Sequence, residues 1–162
     1  MARPPLSLKG RALRLLGTRE HSRAELERKL AAHATEPAEL ARTLDELQAK
    51  GFISAQRVVD SVLHRRAARL GAARIRQELQ HKGLEPALVR DAVAGLQASE
   101  LQRAQAVWHK KFGASPPADG PAERARQMRF LAARGFGGDT IRRVGRGATD
   151  DDTPAPGDAI DA

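Results

Sequence analysis

Five histidines, His21, His33, His64, His81 and His109, are the first residues to weigh for proton transfer or metal binding. A helical zinc site needs two of them one turn apart, and no two are spaced by four residues. They are expected to be exposed or helix-terminal, and no metal site is expected. The sequence has no Cys, which excludes disulfides, thiolate zinc sites, thiol nucleophiles and iron–sulfur clusters. The carboxylates Glu25, Glu27, Glu36 and Glu39 lie among basic residues, as on solvated helix faces with i, i+4 pairs. No phosphate-binding Gly-x-x-x-x-Gly-Lys-Ser/Thr loop occurs. Gly135-Phe136-Gly137-Gly138 lacks the preceding strand of a dinucleotide fingerprint and reads as a turn between helices. No catalytic residue, metal or cofactor emerges, and an enzyme is not expected.

What remains is arginine. The chain has 28 Lys plus Arg against 20 Asp plus Glu, a net charge of +8, and 22 of the 28 basic residues are Arg. Planar guanidinium groups bind phosphate and carboxylate through two parallel hydrogen bonds, so a polyanion or an acidic protein surface is the expected partner. The charge is uneven: residues 101–146 hold ten basic against three acidic residues, and five acids lie beyond Arg146. The candidate basic face comprises Arg65, Arg66, Arg69, Arg74, Arg76, Arg103, Lys110, Lys111, Arg126, Arg129, Arg134, Arg142 and Arg143. Arg66 falls within the apolar stripe Val59, Val62, Leu63 and Leu70. It fits either a snorkelling stem or a stripe whose far end meets a partner. Residues 147–162 read as a disordered acidic tail, either solubilising or folding back on the basic face.

These side chains must be positioned by helices. Ala, Leu, Arg, Glu and Gln dominate, and no long stretch alternates apolar with polar. Ser22-Arg23-Ala24-Glu25 is a capping-box pattern, followed by Leu26 and Leu30 on one face. Pro37 fits the first turn of the next helix, which carries Leu40, Leu44 and Leu47 and ends at Gly51. Shifted by 49 residues, these leucines fall on Ile75, Leu79, Val89, Val93 and Leu96, and Glu36-Pro37-Ala38 falls on Glu85-Pro86-Ala87. At an offset of 52, Leu79, Gly83, Leu84 and Val89 fall on Leu131, Gly135, Phe136 and Ile141. Each copy follows another helix: 6–16, 55–70 and 101–112.

The expected fold is all-α: three tandem three-helix modules over 1–54, 55–98 and 99–146, forming an elongated, curved helical-repeat protein. Gly145 and Gly147 are expected to break the last helix early. Such a chain exposes a long side surface and little depth for a pocket. Phe52, Trp108, Phe112, Phe130 and Phe136 are expected in the core, rather than as base-stacking platforms. No apolar stretch approaches the ~20 residues of a membrane span, and residues 1–10 lack a signal-peptide core. A soluble cytoplasmic protein is expected.

Four segments in order resemble the RecX family of bacterial regulators of the RecA recombinase. They are 11–16 with 19–30, Gly51-Phe52-Ile53-Ser54 leading to Arg57, 69–79 with Lys82-Gly83-Leu84, and 129–136 with Ile141, together covering about residues 6–145. The resemblance implies a non-enzymatic negative regulator, working as a monomer. It would lie in the groove of the RecA–DNA filament, bridge neighbouring subunits, and suppress filament extension, ATP hydrolysis and strand exchange. It places the protein in DNA repair, homologous recombination and the SOS response. Weak electrostatic binding of single- and double-stranded DNA is expected alongside. The alternative is a general DNA-binding helical-repeat protein that acts by competition for DNA. The family usually carries an acid and an aromatic after Gly51-Phe52, where this sequence has Ala55, Val58 and Val59.

Overall fold

Helix-start and helix-stop chemistry recurs along the chain and sets its elements. A computed structural model describes residues 5–113 and 120–150, with side chains as far as 147. Among the described residues there are nine α-helices and no strand. They are α1 Leu8–Leu16, α2 Arg23–Leu30, α3 Pro37–Ala49, α4 Ala55–Arg66, α5 Ala72–His81, α6 Pro86–Gln97, α7 Glu100–Phe112, α8 Pro121–Ala133 and α9 Gly138–Asp150, with a single 3-10 turn Ala31–His33 after α2. Ser7, Ser22 and Ser54 cap α1, α2 and α4 by accepting from backbone N–H groups. Proline opens α3, α6 and α8. Gly51, Gly83 and Gly135 follow α3, α5 and α8 at φ of +78°, +69° and +84°, the left-handed stop that glycine adopts without a Cβ clash.

By contact, the chain forms two compact units. The first takes the chain as far as Ala67 together with Ile75–Leu96; the second takes Ala68–Arg74 and the chain from Gln97 onward. In the first, Leu8, Ala12, Leu26, Leu30, Leu40, Leu44, Leu47 and Ile53 form a core under α1–α3. Val58, Val59, Val62, Ile75, Leu79, Leu84, Val89, Val93 and Leu96 are also buried. Every apolar position matched by the 49-residue shift is therefore buried in both copies. In the second unit, Ala104, Leu131, Phe136, Ile141 and Val144 form the core, with Leu101, Val107, Trp108 and Phe130 packed against it. Leu131, Gly135, Phe136 and Ile141, the positions matched at the 52-residue offset, are all buried there.

One joint appears twice. In the first unit, the N-terminus of α2 meets the C-terminus of α5. The Ser22 hydroxyl donates to the Lys82 carbonyl, and the Lys82 ammonium lies 3.1 Å from Glu25. Arg28 donates to the His81 carbonyl at 3.2 Å. In the second unit, the approach to α5 meets the C-terminus of α8: Gly71 N–H donates to Arg134 O at 2.8 Å and Ala73 N–H to Gly135 O at 3.1 Å. The 49-residue shift carries Ser22 onto Gly71 and Ala24 onto Ala73, and the 52-residue shift carries Lys82-Gly83 onto Arg134-Gly135. Both joints are close: a Cβ at Gly83 would press on Ala24, and one at Gly71 would collide with the Gly135 backbone.

Four sequence expectations are corrected. α4 stops at Arg66 instead of residue 70, because Gly71 N–H and Leu70 O are bonded to Arg134 and Arg103 and need no helical partner. α9 runs through Gly145 and Gly147 to Asp150, since two glycines cost only about 1 kcal/mol each while Ile141 and Val144 anchor the helix. Beyond α9, the expected acidic tail lies outside the described residues. Phe52 is 47% exposed, because Ile53 beside it takes the core position. Glu25, expected on an exposed face, is buried beneath the first joint, and so is His21, helix-terminal just ahead of the α2 cap.

Candidate protein and nucleic-acid interface

The joint in the first unit explains its own burial. The Glu25 carboxylate accepts from the Ser22 N–H at 2.9 Å while Ser22 Oγ accepts from the Glu25 N–H, the reciprocal capping box. Arg19 reaches the same carboxylate at 2.9 Å. Burial pushes the Glu25 carboxyl up, but the bonds from Arg19, Ser22 and Lys82 outweigh it and hold it at about 2, against an ordinary 4.5. His21, with Nδ1 3.0 Å from the Arg19 carbonyl, is lowered chiefly by burial. These groups are mutually satisfied, so they lock helices together and present no reactive atom.

The thirteen predicted cations divide by their partners. Several have partners within the chain. Arg66 pairs with Glu78 at 3.1 Å, so the charge in the apolar stripe of α4 is answered from α5. Arg103 is half-buried and donates to Leu70 O at 2.7 Å and Ser99 Oγ at 3.1 Å, with Phe136 6.0 Å away. Burial holds its guanidinium below the ordinary arginine value. Arg134 lies over Phe130, 3.6 Å from the ring centroid, and Arg126 forms a fork on Glu123 at 2.8 and 2.7 Å. Arg142 pairs with Asp139 at the surface. Arg65 is exposed and bonded to Ser61 O, and Arg69 is exposed. Arg74 is exposed at its head while its stem lies against Gly135. Arg76 is exposed on α5.

Lys110, Lys111, Arg129 and Arg143 are exposed on α7, α8 and α9 and have no ion-pair partner among the described residues. An exposed cation with no internal acid keeps its capacity to neutralise an external phosphate or carboxylate. The sequence grouped these four with the internally engaged arginines because charge alone does not reveal which guanidinium points inward.

A second cationic surface escaped the sequence reading. In the first unit, α1 and the end of α2 open a groove of about 350 Å³ lined by Leu6, Arg11, Arg14, Leu15, Lys29, Leu30 and His33. Its signal was the spacing: Arg11 and Arg14 at i, i+3, and Lys29 and His33 at i, i+4. Among the described residues no cluster of three His, Asp or Glu could hold a metal, and no helix is long and apolar enough to cross a membrane.

Residues 9–47 match the RecX first three-helix domain and residues 98–144 the RecX third three-helix domain. "Regulatory protein RecX" of Leptothrix cholodnii is 58% identical over 142 residues, 88% of this chain and 89% of that protein. The protein of the same name from Ralstonia nicotianae is 51% identical over 148 residues, 91% of this chain and 92% of its own. The crystal structure of RecX from Lactobacillus salivarius shares the fold at a TM-score of 0.73 with 17% identity, covering 88% of this chain and 94% of that one. The class is that of all-helical regulatory proteins, not of enzymes. Within that class, the chain belongs to the RecX family.

Proposed function

We infer that this protein is a negative regulator of the RecA recombinase, binding in the groove of the RecA–DNA filament and inhibiting filament extension, ATP hydrolysis and strand exchange. The observation that carries this reading, beside family membership, is the set of exposed cations in the second unit that no acid among the described residues pairs with: Lys110, Lys111, Arg129 and Arg143. A nucleoprotein filament offers them both DNA phosphate and acidic side chains, and each neutralised phosphate steepens the salt dependence of binding. Arg65, Arg69, Arg74, Arg76 and Arg142 extend the same basic surface chemistry. Arg66 and Arg103 contribute by tying α4 to α5 and α7 to the connector before α5, whereas Arg126 and Arg134 are engaged along α8. The protein acts in the cytoplasm as a monomer, within DNA repair, homologous recombination and the SOS response.

The test is a titration of RecA ATP hydrolysis on single-stranded DNA with the full chain. Sub-stoichiometric inhibition is expected, and Arg129→Glu with Arg143→Glu weakens it while circular dichroism and thermal unfolding stay unchanged. A folded double variant that inhibits as well as the parent overturns the assignment of the contact to these residues. The competing reading, a general DNA binder acting by competition, draws on the high net charge of +8. It requires inhibition to track affinity for free DNA, and it fails if the protein binds DNA-free RecA and inhibits at DNA excess.

A further inference from the structure

The groove in the first unit sits where a joint would be expected. In the repeat, His33 is the counterpart of Lys82, and Lys82 is the counterpart of Arg134. Lys82 and Arg134 directly follow α5 and α8, and His33 ends the 3-10 turn that follows α2. At Lys82 and at Arg134, the backbone carbonyl accepts a hydrogen bond from an arriving helix start, namely the Ser22 hydroxyl and the Gly71 N–H. At Lys82 the arriving helix also brings a first-turn carboxylate, Glu25, onto the basic side chain. At His33 the corresponding place is the open groove, lined by Arg11, Arg14, Lys29 and His33 and, among the described residues, by no acid.

We propose that this groove is the open counterpart of the two filled joints, and that it takes the first turn of a helix from a protein partner. That helix carries a hydroxyl cap and a carboxylate three residues later. The chemistry follows from the filled joint: the cap bonds a carbonyl at the end of α2, and the carboxylate meets Lys29, Arg14 and Arg11. Leu6, 48% exposed, and Leu15 supply the apolar wall for the arriving helix. A second copy of this chain is the poorer occupant. The matching helix start on such a copy, that of α8, has no side-chain cap, and its one first-turn acid, Glu123, is already held by Arg126 and Gln127.

A designed peptide carrying that cap and carboxylate, with the full chain, tests the groove. The probe is a labelled helical peptide that opens Ser-Ala-Glu-Glu on a neutral Ala/Gln body. The control has the same composition with the glutamates at its C-terminal end. By fluorescence anisotropy at low salt, the first peptide is expected to bind at least about ten-fold more tightly than the control, because only it aligns acid, cap and helix dipole with the groove. Arg14→Glu with Lys29→Glu abolishes that preference, whereas Arg129→Glu with Arg143→Glu leaves it intact. If the reversed groove variant does not fold, Arg14→Gln with Lys29→Gln decides. Equal binding of the two peptides, no binding of the first, or a preference that survives in the folded groove variant overturns the proposal. So does self-association in sedimentation that the groove substitutions abolish, which would seat a second copy there.

Discussion

The Glu25 carboxylate and the Lys82 ammonium lie 3.1 Å apart, each side chain 10% exposed, although 57 residues separate them in the chain. Glu25 is also held by Arg19 and by the Ser22 N–H, so it has partners to spare, whereas the Lys82 ammonium has Glu25 as its ion-pair partner. The two halves of the pair should therefore respond unequally to truncation. Glu25→Ala removes the capping box and strands a buried ammonium, and is expected to cost about 2–4 kcal/mol. Lys82→Met leaves Glu25 paired with Arg19 and is expected to cost about 1 kcal/mol or less. Urea unfolding of the two variants checks the ranking; equal losses would mean that Lys82 shares the carboxylate's centrality.

The same carboxylate sets an acid limit. Its folded value is about 2 against an ordinary 4.5, so its stabilisation is complete above 4.5 and is lost as the pH falls from there through about 2. His21 adds to the slope at a higher pH. Its folded value is lowered, so the folded state resists its protonation, and stability falls as the pH drops below the ordinary 6.5. Thermal unfolding at pH 7, 5.5, 4 and 3 should show a declining midpoint throughout. Glu25→Gln flattens the part below about 4.5, and His21→Gln the part above it. A wild-type midpoint that stays constant from pH 7 to 3 would exclude both contributions.

The repeated apolar skeleton was legible because its period is fixed by geometry: Leu26 and Ile75, or Leu44 and Val93, answer the same packing demand 49 residues apart. Caps and stops were legible for the same reason, since Ser22, Pro37 and Gly51 each do a local job. The joints were not. Glu25 reads as a surface residue because charged side chains usually are, and only the tertiary pairing of α2 with α5 makes its burial, with that of His21 and Lys82, tolerable. Arg103 and Arg129 look alike in sequence, yet one donates to Leu70 O and the other faces solvent. A helix end was misread where tertiary hydrogen bonds replaced helical ones, at Leu70-Gly71.

Glycines separate into those the joints require and those they do not. Gly135 lies at φ +84°, and a Cβ there would collide with Arg74, so Gly135→Ala is expected to destabilise by about 2 kcal/mol or more. Gly95 in α6 and Gly145 in α9 have nothing within 4 Å of an added Cβ. There alanine removes unfolded-state freedom and is expected to stabilise by about 0.5–1 kcal/mol at each site. Denaturation midpoints of the three single variants test this. A destabilised Gly145→Ala would show that α9 does not persist through that position in solution.

Arg103 and Arg129 offer the cleanest separation of scaffold from interface. Arg103 anchors Leu70 O and Ser99, so Arg103→Ala leaves a carbonyl of the connector without its donor and is expected to cost about 1–3 kcal/mol. Arg129 is exposed, and its reversal to Glu is expected to change stability by no more than about 0.5 kcal/mol. Binding should invert that order. In the RecA titration, Arg129→Glu weakens inhibition at full stability, and the salt dependence of binding becomes shallower by roughly one logarithmic unit for each phosphate that the variant no longer neutralises. Below its unfolding temperature Arg103→Ala inhibits as the parent does, and its defect shows only on warming. Were Arg103→Ala to lose inhibition while still fully folded, that arginine would belong to the contact surface and the connector would need another anchor.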